Sequence, residues 1–343
     1  MKALVTGSAG FFGGILCRAL LSDGWEVEGI DLLPDAPAFN FVPRVLDIRD
    51  ERLLSSAVEE FRPDVIFHCA AVLAHDRKNR VNLWSTNVGG TASVAAAAKR
   101  AGVGSLVFIS SNCLWGANWN RPVTEDDVPA PIEDYGRSKL AAEQHLQSLG
   151  SDLAVKVVRT PTIIEAGRLG LLAILFEFVH EGRRIWMVGD GSNRYQFVNA
   201  QDLAVACMLL GTNPVRGVFN VGSENVPTVA EMFGEVVRRA GTGSRLTPLS
   251  RGLAVTTLKA LNRLGLSPLG PYHYRMLASS FEFDTTRVRN ATGWRPTMGN
   301  TEMLWRAYSF YVEHLGDRSD PDHASVHRRP AGLGALRIVK WLS

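Results

Sequence analysis

The chain has 343 residues, is 46% hydrophobic and carries a formal net charge of +3, enough for one large α/β domain, or a nucleotide domain plus a smaller lobe, around a full core. No apolar run approaches the ~20 residues that span a bilayer, and Met1 leads straight into a strand pattern, so no signal peptide is expected. Four scattered cysteines (Cys17, Cys69, Cys113, Cys207) lack metal spacing, which predicts no bound metal and a reducing, cytoplasmic setting.

A short apolar strand, Ala3 to Val5, runs into Gly7-x-x-Gly10-x-x-Gly13, and a helical pattern from Ile15 to Leu21 follows at once. Strand, glycine turn and helix in that order form a dinucleotide phosphate turn. Gly7 permits the sharp turn, Gly10 lets backbone approach a pyrophosphate, and Gly13 lets helix pack on strand. The second strand, Trp25 to Ile30, ends in Asp31, eighteen residues after Gly13. A carboxylate there accepts hydrogen bonds from adenosine ribose hydroxyls and repels a 2′-phosphate, and Leu32 and Leu33 bring no cation, so NAD is expected rather than NADP.

Asp64 to Cys69, Leu106 to Ser110 and Val155 to Val158 read as buried parallel strands, and Thr91 to Arg100 as an Ala-rich helix closed by Gly102. The alternation predicts a Rossmann-like doubly wound parallel sheet over residues 1–165, with a return segment around 195–225. After Pro161 longer helical patterns appear (Leu171 to His180, Val229 to Ala240, Leu253 to Leu264), read as a smaller mixed substrate lobe over 166–315. Residues 236–281 hold seven Arg or Lys and no carboxylate, while the remainder is acidic, which points to an anionic substrate or surface. No nucleic-acid motif accompanies that charge. Residues 316–343 read as a linker and a basic amphipathic tail, with Leu333, Leu336, Val339 and Leu342 on one stripe. Such a tail docks on its own lobe, on a second subunit of a homodimer, or peripherally on an anionic membrane face.

Tyr135-Gly-Arg-Ser-Lys139 places a phenol and an ammonium on one helix face. Upstream, Ser111 follows a buried strand, at the sheet edge where open α/β folds bind ligands. In this reading Lys139 lowers the pKa of Tyr135 and holds the nicotinamide ribose, Tyr135 exchanges a proton with a substrate alcohol, and Ser111 hydrogen-bonds the reacting oxygen.

Thr6-Gly-x-x-Gly-Phe-x-Gly, Asp47-Ile48, His68-Cys-Ala-Ala71, Asn87-Val-x-Gly-Thr91, Ser110-Ser111 before Gly116, and Tyr135-x-x-x-Lys139 together resemble the extended short-chain dehydrogenase/reductases. The chain looks most like the NAD-dependent epimerase/dehydratase branch, over about residues 1–310. The resemblance implies cofactor contacts from Phe11 and Phe12 in the glycine turn, from Asp47 and Ile48 to adenine, and from the Ala70-Ala71 backbone. It also implies a bracing role for Asn87 and a place for Pro161 beside the nicotinamide. Residues 283–296 resemble the family's C-terminal signature.

Several positions depart from the pattern. Asn112 and Cys113 stand where sugar 4,6-dehydratases carry an Asp-Glu pair, which argues against dehydration. The Cys113 slot resembles the proton-transfer cysteine of GDP-sugar 3,5-epimerases, although a small packed residue is the plainer reading. Arg194, a candidate diphosphate contact, is displaced by one residue when counted back from Asp202. Ser111, Asn112, Cys113 and Arg194 are thus the candidate substrate residues. The resemblance implies a nucleotide-sugar C4 epimerase working through a keto intermediate. The apolar, basic stretch 251–268 keeps a second reading open, a 3β-hydroxysteroid-dehydrogenase-like enzyme acting on a lipidic alcohol. A cofactor-binding protein without catalysis is a third, disfavoured by the complete Ser111, Tyr135 and Lys139 set.

Overall fold

The computed structural model describes residues 1–34, 43–73, 80–116, 119–167, 172–250, 252, 256 and 279–315. The helical pattern Leu253 to Leu264 and the tail from residue 316 therefore lie outside the described residues.

The first half supplies six strands of a seven-stranded parallel sheet, and the second half the seventh. Its elements in chain order are β1 (Lys2–Thr6), α1 (Phe11–Ser22), β2 (Glu26–Asp31), β3 (Arg44–Val45), α2 (Glu51–Phe61), β4 (Val65–His68), α3 (Arg80–Trp84), α4 (Thr91–Arg100), β5 (Ser105–Ile109), α5 (Asp134–Gln147) and β6 (Ala154–Arg159). The second half holds β7 (Thr162–Ile164), α6 (Leu172–His180), β8 (Arg184–Val188), β9 (Phe197–Asn199), α7 (Ala200–Thr212), β10 (Gly217–Asn220), α8 (Val229–Ala240), β11 (Arg245–Leu249), α9 (Thr286–Thr292) and α10 (Asn300–Glu313). The sheet order is β10-β6-β5-β4-β1-β2-β3, so the chain winds outward from β1 in both directions. The carboxyl ends of β1, β4, β5 and β6 consequently meet along one edge.

The strands are apolar on both faces, as a covered parallel sheet requires. Ala3, Val5, Val65, Phe67 and Val107 pack under α1 and α7. Their alternates Leu4, Ile66, Leu106 and Phe108 pack under the helices of the opposite layer. A smaller C-terminal region has its own core, with Phe176 and Val179 of α6, Met232 and Val236 of α8, and Met303, Leu304 and Tyr308 of α10. Val229–Ala240 forms the helix expected there because Thr228 and Glu231 make a capping box and Gly241 ends it at φ +64°.

Not all of the chain after residue 166 stays in that region. Of the return segment, Phe197–Asn199 pairs with β7 outside the main sheet, and only Gly217–Asn220 joins it, as an edge strand. Residues 286–297 also pack on the sheet layer, with Val288 and Trp294 in the α1/α7 core.

One buried carboxylate fastens this last segment. Asp202, 4% exposed, accepts from the Thr297 amide (2.9 Å) and the Thr297 hydroxyl (2.7 Å), and its carbonyl accepts from Trp294 Nε1 (2.9 Å). Asp202→Ala leaves the Thr297 amide and hydroxyl without their charged acceptor, while the backbone carbonyl that holds Trp294 remains, and is expected to lower unfolding stability by about 2 kcal/mol. Urea titration checks it, through a lower midpoint at unchanged slope.

Candidate active site

The glycine turn is backbone packed on backbone. Gly7 adopts φ +71°, and a Cβ there would lie 2.7 Å from the Ala70 amide nitrogen. A Cβ on Gly13 would lie 2.1 Å from the Gly7 carbonyl oxygen. The turn closes through Gly10 N–H to Gly7 O (3.0 Å) and Gly7 N–H to Ile30 O (2.8 Å). Gly10 is the N-cap of α1 and brings no capping side chain, which leaves that helix start suited to an anion. Phe11 and Phe12 open α1 with their rings in the core.

At the end of β2, Asp31 ties the turn to the adjoining loop, with Oδ2 accepting from Ala9 N–H and Oδ1 from Leu33 N–H (both 3.0 Å). Asp47 is bridged to Arg49, whose Nε donates to both carboxylate oxygens at 2.9 Å, and this holds the Asp47 carboxyl below its ordinary pKa. Ile48 is buried, Ala70 is half-buried and Ala71 exposed beyond β4, and Pro161 is buried just after β6. A cradle that no Cβ could enter, a bare helix start and a carboxylate at the second strand end together fit NAD.

Beneath this surface runs a chain of buried hydrogen bonds whose proton directions are all determined. Ser138 Oγ donates to the Tyr135 carbonyl (2.8 Å), and Asn87 Nδ2 donates to Ser138 Oγ (3.0 Å). Thr91 Oγ1 donates to the Asn87 carbonyl (2.7 Å), so it can only accept from His68 Nε2 (2.9 Å). His68 Nδ1 then accepts from Thr6 Oγ1 (2.7 Å), which accepts from Ala70 N–H (3.4 Å). Burial and the nearby Lys139 push the His68 pKa down to about 3, so the ring is neutral. Asn87 lies in a π-helical turn, Ser85–Gly90, and its amide also clamps the Val72 backbone (2.8 and 3.0 Å).

Helix α5, which carries Tyr135 and Lys139, meets the turn after β5 through a glycine. A Cβ on Gly136 would lie 2.2 Å from the Cys113 carbonyl oxygen, so only glycine lets the helix between Tyr135 and Lys139 come this close to the turn that Ser111 caps. Ser111 caps the short 3-10 turn Asn112–Leu114, with Cys113 N–H donating to its Oγ (3.2 Å). Tyr135 is half-buried. Lys139 is 3% exposed, with its ammonium 4.3 Å from the centroid of the Phe108 ring. Burial pushes its pKa down to about 8 against the opposing pull of Cys69, Glu143 and Cys113.

Ser111, Asn112, Cys113, Tyr135 and Lys139 thus come together, with Asn87 behind them. Arg194 does not join them. It is exposed, and its guanidinium donates to the Val226 carbonyl. The next residue, Tyr195, turns its hydroxyl to Asn112 Nδ2 (3.2 Å) and Thr162 Oγ1 (3.0 Å). The one-residue displacement of Arg194 in the sequence already sets it apart from the family's diphosphate arginine. His68 and Thr91 stand in the motifs that carry the resemblance, but their linkage through Thr6, Asn87 and Ser138 gives no signal, because a buried relay has no spacing rule.

The NAD dependent epimerase/dehydratase family model matches residues 3–222. The chain belongs to this family. Its cofactor is NAD, and it is an NAD-dependent enzyme. A UDP-glucose 4-epimerase of Mycolicibacterium smegmatis is 30% identical over 334 residues, covering 91% of this chain and 98% of that protein. An uncharacterised Sinorhizobium fredii protein, y4nG, is 35% identical over 99% of this chain and 85% of its own length. Among solved structures, UDP-glucose 4-epimerase of Thermotoga maritima with UDP-glucose matches at a TM-score of 0.74 and 23% identity, over 92% of this chain and 100% of that one.

Two measurements test this geometry. The enzyme should bind NAD more tightly than NADP, and Asp31→Ala should narrow the ratio by about tenfold or more in fluorescence titrations of both cofactors. Tighter binding of NADP by the wild-type protein would refute the role given to Asp31. Lys139 offers a pH test. Unfolded lysine holds its proton up to the ordinary 10.5, whereas folded Lys139 releases it near 8. Stability is therefore lowest below pH 8 and rises between pH 8 and 10.5, where the unfolded chain binds more protons. Lys156, also pushed down to about 8 by burial, adds to the same rise. Lys139→Met should raise the thermal midpoint at pH 7 and flatten part of that rise. An unchanged pH profile would contradict the burial of a charged Lys139.

Proposed function

We propose that this enzyme epimerises a nucleotide sugar at C4, with Ser111, Tyr135 and Lys139 as its catalytic residues and UDP-glucose or a close relative as substrate. The observation that carries the reading is the Gly136 contact, which seats the Tyr135–Lys139 helix against the Ser111 turn at the cofactor edge of the sheet. The 30%-identical relative named as a UDP-glucose 4-epimerase supports the substrate class.

Inverting a carbinol carbon requires its hydroxyl to become a ketone and then an alcohol again. When bound, NAD supplies the reversible redox chemistry at that carbon. The protein's share is proton management. Tyr135 accepts the hydroxyl proton and returns it after the ketone has presented its other face. Ser111 donates a hydrogen bond to the reacting oxygen while it carries partial negative charge. Below pH 8 the Lys139 ammonium is charged, which lowers the cost of an ionised Tyr135 and lets it bind the nicotinamide ribose. No carboxylate stands at Asn112 or Cys113, so no acid/base pair is present there for eliminating water.

Incubation with UDP-, GDP- and dTDP-hexoses, read by chromatography of the epimers, tests the proposal. UDP-glucose and UDP-galactose are expected to interconvert, and Tyr135→Phe is expected to slow this by about 10²–10⁴-fold with NAD affinity nearly intact. Absence of epimer from every sugar nucleotide, or wild-type rates in Tyr135→Phe, would refute it.

A further inference from the structure

Three side chains join Ser111 to the C-terminal region. The Ser111 hydroxyl donates to Asn112 Oδ1 at 3.4 Å. Asn112 Nδ2 donates to the Tyr195 hydroxyl at 3.2 Å, and Tyr195 shares a hydrogen bond with Thr162 Oγ1 at 3.0 Å. Asn112 is 3% exposed, and its backbone N–H donates to the Thr160 carbonyl (2.9 Å), so it has little freedom to turn elsewhere. Tyr195 is held just as firmly. Its carbonyl accepts from Asn300 Nδ2 (2.7 Å), and Asn300, fully buried, opens α10, the last helix of the C-terminal core. Gln196 beside it accepts from Phe283 N–H (2.9 Å) and donates to Ser223 O (2.6 Å). A continuous line of contacts thus runs from α10 through Tyr195 and Asn112 to Ser111.

We propose that Asn112, held by Tyr195 and Thr162, is the positioning residue of the Ser111 hydroxyl, a proposal that rests on the catalytic role given to Ser111 above. A serine hydroxyl rotates freely unless its proton has an acceptor. Cys113 N–H occupies one Ser111 lone pair and Asn112 Oδ1 takes the proton, which directs the second lone pair. That lone pair can receive the substrate hydroxyl on entry, before its one proton turns to Tyr135. Once the reacting oxygen becomes an acceptor, the Ser111 proton swings to it from Asn112. At 3.4 Å the resting bond is long and weak, so the swing costs little. An amide at position 112 suits this exchange because it accepts from Ser111 and donates to Tyr195 at once. A carboxylate would only accept, would hold the proton more strongly, and would place a negative charge beside the reacting oxygen.

The test uses the NAD-loaded full chain with UDP-glucose as the probe. Asn112→Ala is expected to lower kcat about tenfold, the worth of one positioning hydrogen bond, with KM and NAD affinity nearly unchanged. Tyr195→Phe, which keeps the packed ring, should lower kcat in the same direction, and the double variant should be no slower than Asn112→Ala alone. Asn112→Asp should lose activity as its carboxyl ionises, a pH dependence that the wild-type enzyme lacks. In NAD-bound crystals without sugar, the Ser111 side chain should change rotamer in Asn112→Ala and in Tyr195→Phe. Unchanged kcat in both variants, additive losses in the double variant, or one Ser111 rotamer throughout would overturn the proposal. If the wild-type protein leaves UDP-glucose unchanged, the functional reading falls, and the sugar-free crystals still decide whether Asn112 orients Ser111.

Discussion

A neutral histidine lies at the centre of this molecule. His68 is fully buried at the end of β4 and uses both ring nitrogens, donating to Thr91 and accepting from Thr6. The arrangement works only with the proton on Nε2, because Thr91 has already given its own proton to the Asn87 carbonyl. A second proton on the ring would face Thr6, whose hydroxyl is already oriented toward it, and would add a positive charge near Lys139 in a fully buried place. A satisfied buried network of this kind rigidifies what it touches. Here it touches the residue that precedes the glycine turn, the Ala70 amide behind that turn, and the helix that carries Tyr135. The glycine turn and the helix that carries Tyr135 and Lys139 are thereby two ends of one hydrogen-bonded unit.

The surface above that unit is built from close approaches. Gly13 on Gly7, Gly7 on Ala70 and Gly136 on Cys113 each bring backbone within the space that a Cβ would occupy. Such contacts trade side-chain packing for proximity, and they occur where the sheet's carboxyl edge needs two chain segments in the same place. Lys139 shows the energetic side of the same design. Burying an ammonium is unfavourable, and the Phe108 ring and the Glu143 carboxylate recover only part of the loss. The apolar layers on both faces of the sheet supply the stability that lets this charge remain in place.

The side chains that link Ser111 toward the C-terminal region, Asn112, Thr162 and the Tyr195 hydroxyl, are neutral hydrogen-bonding groups. Arg159, which comes from β6 close by, is committed to Glu143 in a buried ion pair (2.7 Å) and stacks over Trp115. Arg194 faces out toward Val226.

Much of the nucleotide half was legible in the chain itself. Gly7, Gly10, Gly13 and Asp31 belong to a local strand–turn–helix unit whose spacing follows from backbone sterics, and Thr91–Arg100 and Val229–Ala240 carry their own start or stop signals. Tyr135 and Lys139 fall on one helix face by the period of the helix alone. Other features depend on residues distant in sequence and leave no local trace. The pairing of Tyr195 with Asn112 spans 83 positions, that of Asn87 with Ser138 spans 51, and that of Asp202 with Thr297 spans 95. A π-helical turn carries Asn87, and sequence periodicity does not distinguish it from an α-helix. Local sterics and helical period thus determined the cofactor turn and the Tyr135–Lys139 face. Only tertiary packing decided which buried polar groups meet, because a hydrogen bond depends on where folding brings donor and acceptor, not on their spacing along the chain.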